Sequence, residues 1–95
     1  MTLATFQEFE TTMRAAGFPD IGVRDYPTAT EAPNHTHEFA VKALVVRGEM
    51  WLTVGGDTRH LLVGDTFELD HETVHAERYG HEGATYWAAR RHKAS

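Results

Sequence analysis

The chain has 95 residues, 41% of them hydrophobic, a formal net charge of −5 and no cysteine. That length makes a single domain, residues 1–95, with a core near the lower limit of self-sufficiency, and an expected homodimer would bury more surface. The acidic balance disfavours nucleic acid and anionic membrane as partners, and the missing cysteines exclude disulfides, thiolate metal sites and a thiol nucleophile.

No apolar run approaches the roughly 18 residues of a membrane span, and the N-terminus lacks a charged stretch followed by an apolar core. A cytoplasmic location is the expectation. Thr5-Phe6-Gln7-Glu8 reads as a capping box. Phe6, Phe9 and Met13 then recur near helical spacing until Gly17-Phe18-Pro19, so a short amphipathic helix is predicted over 5–16, covering one mouth or edge of a sheet. Gly22 to Tyr26 alternates weakly and suits an edge strand, where the following Pro27 is tolerated. Thr28 to Asn34 reads as a polar loop, left in extended conformation because of Pro33.

From residue 38 the pattern changes to short strands at close spacing. Glu38 to Arg47 is the first, Gly48 marks a turn, and Met50 to Val54 is the second. Gly55-Gly56-Asp57 is a hairpin signal leading into Thr58 to Val63. Thr66 to Leu69 comes after a Gly64-Asp65 turn. Val74 to Tyr79 and Ala84 to Arg91 are the last two strands, separated by a turn over Gly80 to Gly83. The fold class is therefore all-β, with a barrel or sandwich over 22–91 and one short N-terminal helix. Arg90-Arg91-His92-Lys93 reads as a solvated basic end, and 92–95 as a loose tail.

His35 and His37 stand where polar sequence gives way to apolar sequence. Residues i and i+2 of an extended chain share a face, so both imidazoles point one way and form half of a transition-metal site. Phe39 and Val41 share that face and would wall an apolar pocket. The opposite set, Ala40, Leu44 and Val46, is apolar as well, which calls for a cover such as a second protomer's sheet.

His35-x-His37, an apolar strand closed by Gly48, then Gly64-Asp65 and a lone His75 eleven residues past Gly64, together resemble the two short motifs of the cupin superfamily. The resemblance covers about residues 33–80. It implies a cupin-type β-barrel or jelly roll, a divalent transition metal (Fe, Mn, Ni, Cu or Zn) on His35, His37 and His75, and a pocket for a small organic molecule. The sequence departs from the motifs in informative places. The first-motif acid falls at Val41, or at the outward Lys42. The second-motif proline and glycine fall at Asp70 and Glu72, and its closing asparagine at Tyr79.

Strand parity offers a replacement for the acid. If His75 points inward, so do Glu77 and Tyr79. An inward carboxylate needs a partner, so Glu77 either binds the metal, acts as general base or pairs with an inward arginine, and Tyr79 is a candidate hydrogen-bond donor. Two functions are compatible with this pattern: an oxygenase- or isomerase-type enzyme with a three-histidine metal site, or a non-catalytic, metal-free ligand-binding module. His60, His71, His81 and His92 are expected at the surface, His71 being the one near the site.

Overall fold

The computed structural model describes residues 3–92. Six antiparallel strands form one sheet: β1 (Asp20–Tyr26), β2 (Glu31–His35), β3 (Phe39–Val54), β4 (Asp57–Leu62), β5 (Thr66–Leu69) and β6 (His75–His92). β1, β6, β3 and β4 lie side by side, with β2 added to β6 and β5 to β3. The sequence suggested more and shorter strands. Gly48 and the Gly80 to Gly83 stretch, read as turns, instead lie inside the two long strands β3 and β6. The pairing of these strands shifts register between Val45 and Arg47 and again between Gly48 and Met50.

These irregularities bend the sheet on itself. A β-bulge adds a residue, bends the strand and reverses the parity of the residues beyond it. Val41, Ala43 and Val45 pack into the interior before the bend in β3, and Met50 and Leu52 after it. In β6 the buried set changes from His75, Glu77 and Tyr79 to Ala84, Tyr86 and Ala88. Gly48 and Gly83 make the bend possible. Both have φ near +70° to +80°, and a Cβ on Gly48 would strike the Gly83 carbonyl oxygen. Arg47 fastens the bend from outside, donating to the Glu82 carbonyl (2.9 Å) and the Asp25 carboxylate (3.2 Å).

β2 takes up residues 31–34 of the expected loop over 28–34, and 28–30 stay outside the strands. Its Pro33 cannot donate a ladder hydrogen bond, but β2 pairs only with β6, and an edge strand tolerates that loss.

The helix α1 (Phe6–Ala15) forms where the capping box predicted it, with the Thr5 hydroxyl accepting from the Glu8 N–H (3.1 Å) and Glu8 accepting from the Thr5 N–H (2.9 Å). It lies over the outer face of the long strands, not over a mouth. Phe9 and Phe18 pack there with Ala40, Leu44 and Ala89, and Phe6 meets the Trp87 ring edge-on at 5.3 Å. The apolar face assigned to a second protomer is thus covered by the chain's own helix. Thr5→Ala removes one side of the capping box and is expected to cost about 1 kcal/mol, read as a lower urea midpoint. Among the tail residues, His92 closes β6, and the rest lie outside the described residues.

Candidate functional site

The bend encloses a cavity of about 140 Å3. His35 and His75 reach it from directly paired positions on β2 and β6. His37 lies on the link into β3, and its carbonyl accepts the Glu72 N–H (2.8 Å), which ties that link to the turn before His75. The three imidazoles can present ligand nitrogens all within 4.8 Å of one another, the only such group of three or more metal-ligating side chains among the described residues.

Hydrogen bonds orient these rings. The His35 Nδ1–H donates to the Pro33 carbonyl (2.7 Å) and the His75 Nδ1–H to the Thr73 carbonyl (2.8 Å). Each bond runs to the residue two positions earlier, and each leaves Nε2 as the free nitrogen. Fixing the tautomer through the far ring nitrogen is the usual support for a metal-ligating histidine. His37 lies flat against Phe39, with rings 4.7 Å apart and 11° from parallel. Burial lowers the His37 pKa, and the neighbouring charges of His35 and His75 lower it further.

Glu77 is buried, with Oε1 3.5 Å from the His75 Nε2. With the Nδ1 proton committed to Thr73, both of these atoms offer lone pairs, and a cation must lie on or beside them: a proton on His75, or a metal ion. The donor set thus fits a divalent transition metal. The hydrogen bond to Glu77 raises the His75 pKa against the effect of burial. Burial pushes the Glu77 carboxyl up, but hydrogen bonds from His75 and Tyr79 outweigh it and the net shift is downward.

Phe39 and Val41 line the cavity. Tyr79 does not. Its hydroxyl donates to Glu77 Oε2 (2.7 Å) from a fully buried ring stacked on Tyr26 at 3.9 Å, so it meets the site only through Glu77. Tyr79→Phe keeps the stack and strands a buried carboxylate oxygen. An expected loss of about 1–3 kcal/mol would show in urea unfolding.

Among the lining residues not identified from the sequence are Arg24, Tyr86 and Arg90. Arg90, assigned to a solvated end, instead sits against Phe39 (4.9 Å to the ring centre) and pairs with Asp20 at 3.0 Å. Arg24 shares its strand face with Tyr26, and that alternation was the available signal. The Tyr26 hydroxyl raises the Arg24 pKa against burial, and Tyr86 acts in the same direction. Of the other histidines, His71 bonds Asp70 (3.1 Å) and does not join the group. His60 bonds Glu49 (2.8 Å), and its ring stacks on Trp51. His81 and His92 are exposed.

No protein-family profile and no curated protein matches the sequence. Solved structures do match the fold. An RmlC-like cupin from Shewanella frigidimarina NCIMB 400 aligns over 74% of this chain and 63% of its own, at 21% identity and a TM-score of 0.64. The DMSP lyase DddQ from Ruegeria pomeroyi DSS-3 aligns over 79% of this chain and 39% of its own, at 21% identity and a TM-score of 0.70. A protein of unknown function from Rhizobium leguminosarum bv. viciae 3841 aligns over 98% of both chains, at 16% identity and a TM-score of 0.72. This chain thus spans less than two thirds of the first two. At such identities the likeness establishes the fold alone, an all-β jelly roll of the cupin type.

Proposed function

We propose that this chain binds one divalent transition metal, Fe, Mn, Ni, Cu or Zn, through His35, His37 and His75, and acts on a small organic molecule held in the adjoining cavity. The observation that carries this reading is the convergence of three ligand nitrogens within 4.8 Å, two of them on rings fixed by backbone carbonyls. A metal there would supply Lewis-acid polarisation of a substrate oxygen. The chain's own residues do the rest. Glu77 accepts a substrate proton at Oε1, while Tyr79 holds Oε2 and so fixes the carboxylate's orientation. Phe39 and Val41 exclude water on one side. Oxygenase- or isomerase-type chemistry suits such a site.

The close His75–Glu77 pair supports a second reading, in which protonated His75 and Glu77 satisfy one another and the cavity belongs to a metal-free, non-catalytic binding module. A homodimer in the cytoplasm completes the proposal, and the small core is the reason to expect the dimer.

Elemental analysis of protein purified without a histidine tag separates the two readings. Near-stoichiometric metal supports the first, and folded metal-free protein after incubation with each of the five ions sinks it. Glu77→Gln is expected to keep the metal and to abolish metal-dependent oxygen uptake or isomer interconversion with small candidate substrates. A variant that turns over like the parent would remove Glu77 from the chemistry.

A further inference from the structure

We infer that the cavity takes small carboxylates, with Arg24 gripping the carboxylate group; the inference rests on the cavity being the ligand site proposed above. The charges around the cavity single out this arginine. Glu77 is already engaged by His75 and Tyr79. Arg90 is engaged by Asp20. Arg24, an exposed residue, lines the same cavity, and among the described residues it forms no ion pair with a carboxylate. Beside it stand the hydroxyls of Tyr26 and Tyr86.

A guanidinium matches a carboxylate with two parallel N–H donors, which neither tyrosine hydroxyl can satisfy. There is also room beside it. Gly22, two residues away on the same face of β1, is paired with the cavity-lining Ala88, and a Cβ built on Gly22 would meet nothing within 4 Å. The size of the cavity limits the ligand. An apolar cavity of about 150 Å3 accommodates a benzene-sized molecule, so an occupant of the 140 Å3 here has about six non-hydrogen atoms. Phe39, Val41 and Leu69 supply apolar wall for its hydrocarbon part.

The probes are acetate, propionate and lactate, each paired with its neutral amide and titrated calorimetrically into wild-type protein. At least one acid is expected to bind about tenfold or more tightly than its amide, as one charge-assisted contact supplies. Arg24→Gln is expected to erase that preference, and Arg24→Lys to keep part of it, with thermal melting confirming that each variant is folded. Equal binding of every acid and its amide by the wild type overturns the inference, as does an undiminished preference in folded Arg24→Gln. Metal content is measured on the same samples. Metal-free protein with an Arg24-dependent preference would defeat the metal reading and leave this one standing; metal-loaded protein with no preference would do the reverse.

Discussion

Replacing His35 by alanine is expected to weaken metal binding by more than about a hundredfold. Losing a partner that merely orients a ligand typically costs 10- to 100-fold, and His35 is proposed to be a ligand itself. Its ring is partly exposed, so the variant should fold. His75→Ala should lose the metal equally but carry a second penalty. His75 is 2% exposed and stands against the buried Glu77 carboxylate, and removing one partner of a buried pair costs about 3–5 kcal/mol. The two variants should therefore look alike in metal titration and differ clearly in urea unfolding. An ion that binds only the folded chain raises its melting temperature, so added Zn should shift the wild-type melt and leave both variants unmoved. A full shift in His35→Ala would remove His35 from the ligand set.

The second large effect concerns the bend that makes the cavity. Gly83→Ala is expected to destabilise the fold by about 3 kcal/mol or more. Its φ of +77° is unfavourable for alanine, and a Cβ would collide with the backbone of Tyr26 and Pro27, which cannot swing aside as a side chain could. Gly55→Ala is the matched control. Gly55 also has a positive φ, +61°, but open space where its Cβ would go, so only the conformational cost of about 1–2 kcal/mol applies. Equal losses in the two variants would show that crowding at the bend is not what Gly83 relieves.

The contrast between these glycines also explains what was legible in the sequence. Both read as punctuation, and only one marks a hairpin. A glycine that ends a strand and one that lets a strand bend look alike in a linear pattern, because the difference lies in what approaches from across the sheet. Gly83 is surrounded by the β1 end, which is close in space and more than fifty residues away in sequence. Hence β3 and β6 were each divided in two. The division did little harm to the site, because parity holds on each side of a bend. His75, Glu77 and Tyr79 come out buried, and Phe39 and Val41 line the cavity, as two-residue alternation implies.

Arg24 and Arg90 were not legible for the same physical reason. Their place on the cavity lining depends on β1 and the end of β6 pairing with each other, Asp20 opposite Arg90 and Arg24 opposite Tyr86. The alternation of Arg24 with Tyr26 marks a shared strand face, but no local signal specifies that register. The helix shows the opposite case. Its capping box is local and was readable, but the face it covers is set by tertiary packing. Ala40 and Leu44 could be recognised as needing a cover without revealing that Phe9 and Phe18 provide it.

X-ray absorption at the Zn edge of zinc-loaded, untagged protein tests the central claim most directly, because it reads the atoms around the ion. Three imidazole nitrogens at about 2.0–2.1 Å around the wild-type ion, and loss of that signature in His35→Ala, is the predicted result. An ion surrounded by oxygen alone, or a spectrum unchanged in His35→Ala, would contradict it.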